Sequence, residues 1–127
     1  MLRLRQLTLL LACATLISTT SCGRFMHNGS DDGAQVVFVN QSLDQADVYV
    51  VTDAGTSQRI GTVFAGRTAT LDVPANIIAR GGTVSIAARL LARSMAPRTG
   101  PITLSAGERL QVTLPSNAAT LTVLPAP

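Results

Sequence analysis

The feature of this sequence that most restricts its fold is an alternation of apolar and polar residues with a period of two, beginning at Gln35. This period matches the spacing of side chains on the two faces of a β-strand. The alternating segments are short and separated by turn residues; they are 35–40, 47–52, 58–64, 68–73, 83–91, 102–104, 109–114 and 120–124. Seven or eight short strands predict an all-β fold, an antiparallel β-sandwich or a small barrel.

The alternation also predicts which side chains face the core. Because only 3% of the residues are aromatic, the core has to consist of Val, Ile, Leu and Ala. Leu71 and Ile86 are expected to point inward, and Tyr49 to lie on a half-exposed face with its hydroxyl bonded to a neighbouring loop. Residues 75–80 are expected to form a single helical turn. On the third strand, one face is expected to carry Ile60, Thr62 and Phe64.

The N-terminus has the order of segments found in secretory signal peptides. Arg3 and Arg5 precede an apolar run over residues 7–17, which is too short to span a membrane, and small polar residues lead to Cys22. The sequence therefore predicts a signal peptide over residues 1–21, a flexible tether within 22–34, and a β-sandwich domain over 35–127.

The segment Thr19-Thr20-Ser21-Cys22 resembles the lipobox of bacterial lipoproteins, although the family usually has leucine where Thr19 stands. The resemblance implies cleavage before Cys22 and acylation of that residue by fatty acids such as palmitate. The protein would then be exported and anchored through membrane lipid to the bacterial cell envelope. Gly23, rather than aspartate, implies the outer membrane. Acylation at Cys13, or cleavage without acylation, is the alternative.

The body of the chain resembles small immunoglobulin- or transthyretin-like domains of the bacterial envelope. The resemblance rests on the stretch Val36–Val51, in which a polar residue ends the first strand, an aspartate-containing loop follows, and Asp-Val-Tyr-Val opens the second strand. Ile60-Gly61-Thr62-Val63 and Leu71-Asp72-Val73-Pro74 also fall where such domains place strands. It implies a fold and a compartment but no catalytic residues.

The sequence lacks the residues that most catalytic and metal-binding functions need. The chain has no lysine for a phosphate-binding loop or a Schiff base, and its single histidine, His27, lies in the predicted tether. The arginines are scattered, which argues against nucleic-acid binding. Asp44, Asp47 and Asp53 match no calcium loop, and Asp44 and Asp53 lie where aspartate ordinarily supports turns. We therefore predict no enzyme activity, no catalytic residues, no metal and no cofactor.

Two functions remain. The first is a non-enzymatic envelope lipoprotein, acting as a structural or protein-interaction module; the alternative is a lipoprotein that binds a small molecule, sugar or ion in loops at one end of the sandwich. The candidate interaction loop is Ala92–Pro101, the longest stretch of the body without a strand pattern. Within it Arg93, Met95 and Arg98 would display charge and an adaptable apolar side chain together, which suits an envelope protein partner or an anionic surface.

Overall fold

The structure, a computed structural model, describes residues 33–127, which form eight strands and one short helix. The strands are β1 (Ala34–Asn40), β2 (Ala46–Thr52), β3 (Ser57–Val63), β4 (Thr68–Val73), β5 (Thr83–Leu90), β6 (Ile102–Thr103), β7 (Arg109–Leu114) and β8 (Thr122–Pro125). The helix, α1, is the single turn Ala75–Ile78, within the segment predicted to be helical. No helix in this part of the chain is long and apolar enough to cross a membrane.

The strands form two four-stranded sheets. Sheet A has the order β4-β1-β7-β8 and sheet B the order β3-β2-β5-β6. The prediction of an all-β sandwich is confirmed. Within residues 33–127, every pairing between these strands is antiparallel except that of β1 with β7, which is parallel.

The core lies between the sheets and consists mainly of alternate strand side chains, with Ile77 and Ala118 added from connections. On β5, Val84, Ile86, Ala88 and Leu90 are all buried, as are Leu110, Val112 and Leu114 on β7. Phe38 contributes a buried aromatic ring, and Leu71 and Val73 of β4 join from sheet A. The expectation for Leu71 and Ile86 is therefore confirmed.

The prediction that Ile60, Thr62 and Phe64 share one face of β3 is wrong for Ile60, and a β-bulge explains the error. Val48 of β2 pairs with Gly61 and the next residue, Tyr49, pairs with Arg59, so Ile60 is an extra residue in β3. An extra residue changes which side chains face inward. Ile60 packs against the core beside the buried Val63, whereas Thr62 bonds to Asp47 on the outer face and Phe64 is 64% exposed.

Gly61 of β3 faces Leu71 of β4 in the opposite sheet. A β-carbon at this position would lie 2.5 Å from Cδ2 of Leu71. The absence of a side chain at Gly61 therefore allows Leu71 of the opposite sheet to pack into the core.

The strand directions define two ends of the sandwich. At one end, which we call the base, β1 begins at Ala34, and residues 53–56, 74–82 and 104–108 connect the strands. At the opposite end, which we call the tip, the connections are residues 41–45, 64–67, 91–96 and 115–121. Any segment that precedes residue 33 therefore joins the domain at its base.

A buried polar network holds the tip together. Asn40 and Ser42 are each 1% exposed. The Asn40 amide donates hydrogen bonds to the carbonyl oxygens of Asp44 at 2.8 Å and Val63 at 3.0 Å, and its Oδ1 accepts bonds from the backbone N–H and hydroxyl of Ser42. The backbone N–H of Asn40 donates to the carbonyl oxygen of Arg67. One asparagine thus fixes two tip connections to each other.

Candidate functional site: an arginine groove on sheet B

The predicted interaction loop is only partly a loop. At its C-terminal end, Pro97, Arg98 and Thr99 run antiparallel along β5, with Ala87 and Arg98 forming a bridge. The N–H of Ala88 donates to the carbonyl oxygen of Pro97, and the N–H of Thr99 donates to the carbonyl oxygen of Ile86. Both hydrogen bonds are 2.9 Å long. The interpretation of residues 92–101 as irregular was therefore wrong for these three residues. Flanking prolines at 97 and 101 concealed the short extended segment.

Thr99 attaches this segment firmly to the sheet. Its side chain is buried, and its hydroxyl accepts a hydrogen bond from the N–H of Ile86 at 2.9 Å while donating one to the carbonyl oxygen of Gly100 at 2.9 Å. The hydroxyl therefore takes the place of a backbone acceptor in the ladder. This attachment sets the position of Arg98, which precedes Thr99.

The segment and the outer face of sheet B enclose an open groove with a volume of about 390 Å³. Its floor is formed by outward-facing residues of β2 and β5, among them Tyr49 and Ala87. The small side chain of Ala87 leaves the space that larger neighbours would fill. The lining residues of this arginine groove are Tyr49, Val51, Ser57, Ala87, Arg89, Arg93, Ser94, Ala96 and Arg98.

Three guanidinium groups line the groove. The Nε of Arg93 lies 2.9 Å from Oδ2 of Asp44, an ion pair that also ties residues 91–96 to residues 41–45. Among residues 33–127, no carboxylate lies within salt-bridge distance of Arg89 or Arg98. The groove therefore carries more positive than negative charge.

A second polar cluster lies beside the groove on β2 and β3. The hydroxyl of Thr62 donates to Oδ1 of Asp47 at 2.6 Å, and Arg59 donates to the same oxygen at 2.8 Å as well as to the Thr62 hydroxyl. The hydrogen bond from Thr62 is the largest cause of a lowered pKa at Asp47; partial burial opposes it, and the contacts and charges of Arg59 and Arg89 lower the pKa further. Asp47 therefore stays ionised at neutral pH and pairs with Arg59, which is not among the residues that line the groove.

The structure brings together only part of the predicted site. Arg93 and Arg98 both line the groove, whereas Met95 is 63% exposed and lies outside its lining. Cys22, the predicted lipidation site, lies outside the described residues.

Sequence reasoning missed Arg89 and Tyr49. Both lie on strands at positions where a period of two predicts an outward side chain. That period cannot show that β2 and β5 are neighbours, so the two residues were not connected with the loop.

The hydrogen bonding of the Tyr49 hydroxyl also differs from the prediction. It is half-buried on the outer face, as predicted, but its hydroxyl makes no side-chain hydrogen bond with any of residues 33–127. The hydroxyl is therefore available inside the groove as a donor or an acceptor.

The chemistry of the groove suits an anionic group. A guanidinium presents several N–H donors in a planar fork that matches a carboxylate or phosphate. Arg89, Arg98 and the Tyr49 hydroxyl supply such donors from three different segments, beside the apolar surface of Val51 and Ala87. The arrangement can hold negative charge and a short apolar stretch at the same time.

Comparisons with known proteins were made for the whole chain. No protein-family model matches it, and no curated protein matches it. Among solved structures, it is similar to a protein from Eubacterium rectale determined by NMR, with 12% sequence identity and a TM-score of 0.45, over 74% of this chain and 88% of that one. The function therefore has to be inferred from the groove itself.

Proposed function

We propose that this chain is a non-enzymatic lipoprotein of the bacterial cell envelope whose β-sandwich binds an acidic segment of a partner protein in the arginine groove. The observation that carries the proposal is that Arg89, Arg93 and Arg98 line one open groove. Among residues 33–127, Asp44 is the one carboxylate that forms an ion pair with any of these three arginines. Burying unpaired positive charge is costly, so a partner that covers the groove has to supply carboxylates.

A protein segment suits the shape of the groove. The groove is open to solvent, which suits an extended chain more than a small ligand that has to be enclosed. Val51, Ala87 and Ala96 offer apolar contacts between the charged groups, and Met95, exposed nearby, adds an adaptable contact surface beyond the groove. Charge and apolar contact together favour a segment with acidic and aliphatic residues.

A small anionic ligand is the second candidate, supported by the volume of the groove. About 390 Å³ falls within the range of roughly 300–1,000 Å³ of small-molecule sites. Such sites bury most of their ligand, which an open groove does not do. A protein segment therefore remains the preferred partner.

The proposed anchor is the acylated Cys22. Support comes from the charged, apolar and small-residue order of residues 1–22 and from the lipobox resemblance. Since β1 begins at the base, the anchor would join the domain there and leave the groove accessible on the side of sheet B. Cys22→Ala should release the protein from bacterial membranes, as measured by fractionation. A Cys22→Ala protein that stays in the membrane fraction at full length would contradict anchoring at this residue, and Cys13→Ala is the matched control.

A peptide titration tests the groove. A synthetic peptide rich in glutamate and leucine should bind, and a peptide with lysine in place of glutamate should not, as measured by calorimetry. Losing two charge-assisted contacts should make binding to Arg89→Gln/Arg98→Gln about tenfold or more weaker. Arg109→Gln, a change to an exposed arginine at the base, is the matched control.

The two candidates give different results in this titration. If free glutarate binds as tightly as the peptide, the small-ligand alternative is correct. If the double variant binds the peptide as well as the unmodified protein, the groove is not the site.

A further inference from the structure

The tip carries most of the exposed large apolar side chains of the described chain. Leu43 is 88% exposed, Leu91 is 77% exposed and Phe64 is 64% exposed, and each belongs to a different tip connection. Met95, at 63%, lies in the same connection as Leu91. Single exposed apolar residues are ordinary, but a concentration at one end of a domain marks a contact surface.

These side chains are held in fixed relation to one another. Asn40 bonds to Val63, which precedes Phe64, and to Asp44, which follows Leu43. The N–H of Leu91 donates to the carbonyl oxygen of Gln45 at 3.1 Å. Since neighbouring strands lie about 4.8 Å apart and β3, β2 and β5 are consecutive in sheet B, the three apolar side chains stand over adjacent strand ends.

The shape of the tip argues against a pocket for a partner side chain. A leucine that is 88% exposed touches almost nothing in its own protein, so it projects outward. Projecting apolar side chains can insert into a lipid bilayer, where they are buried at the boundary between the headgroups and the acyl chains.

Charge is distributed unevenly between the two ends. The base carries the side chains of Asp53, Asp72 and Glu108 against Arg80 and Arg109, a net charge of −1.

The tip and the middle of the sandwich carry the remaining arginines and carboxylates of residues 33–127, a net charge of +3. They are Arg59, Arg67, Arg89, Arg93 and Arg98 against Asp44 and Asp47. An anionic surface would therefore attract the tip and repel the base.

From these observations we infer that the tip is a membrane-docking surface that inserts Leu43, Phe64 and Leu91 into a lipid bilayer with anionic headgroups. Arg67, in the same connection as Phe64, meets the headgroups. None of the three inserted side chains lines the arginine groove, and the inference does not need the acylation of Cys22.

The chain is long enough for an anchored domain to reach its own membrane with the tip. Eleven residues lie between Cys22 and the first residue of β1, so twelve residue-to-residue steps of roughly 3.3–3.6 Å span about 40 Å when extended. A seven-residue strand is about 24 Å long. A domain tethered at its base can therefore turn over and place its tip on the same bilayer.

Vesicle binding tests this inference. The protein from residue 22 onward, with Cys22→Ser to prevent acylation, keeps every residue of the described core. It should co-sediment with vesicles of phosphatidylcholine and phosphatidylglycerol, and more weakly with phosphatidylcholine alone. Leu43→Ser/Phe64→Ser/Leu91→Ser should bind both kinds of vesicle about tenfold or more weakly, because the apolar contact is lost.

Two further variants separate apolar from charge contributions. Arg67→Gln should weaken binding about fivefold and only to vesicles with phosphatidylglycerol. Leu124→Ser removes an apolar side chain that is 53% exposed on β8, away from the tip, and should bind like the unmodified protein. Circular dichroism verifies folding; if the triple variant is unfolded, Leu43→Ser alone, at the most exposed position, should still reduce binding.

Three results would overturn the inference. The first is that the unmodified protein does not bind vesicles. The second is that the folded triple variant binds vesicles as tightly as the unmodified protein. The third is that Leu124→Ser weakens vesicle binding as much as the triple variant does. If instead the unmodified protein forms dimers in analytical ultracentrifugation, ignores vesicles, and loses dimerisation in the triple variant, the tip binds a second copy of the chain.

Discussion

The two sheets present similar inner faces but different outer faces. Inside, both contribute alternate aliphatic side chains to one core. Outside, sheet A carries an uncharged surface over most of its length; its outward residues include Val37, Val39, Thr70, Gln111 and Thr113. Charge enters that face near the base, where Gln35 donates to Asp72 at 3.2 Å.

The outer face of sheet B carries Tyr49, Arg89 and the Asp47 cluster, and residues 91–98 add a wall to it. The difference shows that one core can support two unrelated surfaces. Packing constrains only alternate residues of each strand, so the remaining residues of sheet B are free to build a binding site.

The largest effects are expected inside, where the two sheets should respond alike. Ile86→Ala in sheet B and Leu71→Ala in sheet A should each lower the free energy of unfolding by roughly 2–5 kcal/mol, because each leaves a cavity in the common core. Ile86, which is fully buried, should show the larger loss. Urea denaturation measures both values, and a loss below about 0.5 kcal/mol at either position would show that the sheets do not share one core.

The contact between Gly61 and Leu71 should give the next largest effect. Gly61→Ala places a β-carbon against Leu71, and overpacking of this kind costs roughly 1–3 kcal/mol. In the Leu71→Ala background the added methyl group has room, so the same change should cost much less. A double-mutant cycle measures this coupling, and additive losses would mean that the sheets are not in close contact at this point.

The contribution of sheet B to the free energy of unfolding should also depend on acid pH, whereas the centre of sheet A should show no such dependence. Asp47 has a folded pKa below its ordinary value of 3.8, so its stabilising contribution is present above that pH. It is lost as the pH falls from 3.8 through the folded pKa, since the unfolded chain takes up the proton first.

Because the hydrogen bond from Thr62 is the largest single cause, Thr62→Val should raise the pKa of Asp47, and Arg59→Gln should also raise it because it removes a hydrogen bond and a positive charge. NMR titration of the carboxyl carbon measures both shifts. A larger rise in Arg59→Gln would mean that the ion pair dominates.

The smallest effects on stability are expected on the outer faces. Arg89→Gln/Arg98→Gln in sheet B and Thr70→Gln in sheet A should each change the free energy of unfolding by no more than about 0.5 kcal/mol, as is usual for surface positions. The two variants should differ only in peptide binding: Arg89→Gln/Arg98→Gln should lose it, and Thr70→Gln should keep it. If Thr70→Gln weakens peptide binding to the same extent, the functional difference between the faces is disproved.

The sequence predicted what depends on the alternation within a strand. The inward side chains of Leu71 and Ile86 and the turn α1 follow from the local pattern, and the structure confirms them. Two errors arose where the local pattern was interrupted. The extra residue Ile60 packs against the core instead of sharing a face with Thr62 and Phe64, and Pro97 concealed pairing with β5.

The candidate site was predictable only in part, because it depends on which strands are neighbours. Arg93 and Arg98 stood out since they lie in a stretch without strand pattern. Arg89 and Tyr49 belong to regular strands, and only the pairing of β2 with β5 brings them together. Long-range pairing of this kind is not encoded in a local period.

The parallel pairing of β1 with β7 has a consequence for how the protein folds. Val36, near the start of the described chain, pairs with Leu110, near its end. Contacts between such distant parts of a chain require the closure of a long loop, which makes folding slow, on the order of milliseconds to seconds for sandwiches of this size. During synthesis β2, β3 and β5 can pair early, but sheet A stays incomplete until β7 has emerged. A growing chain therefore leaves the core between the sheets open from the emergence of β5 until β7 follows, and closes it only near the end of synthesis.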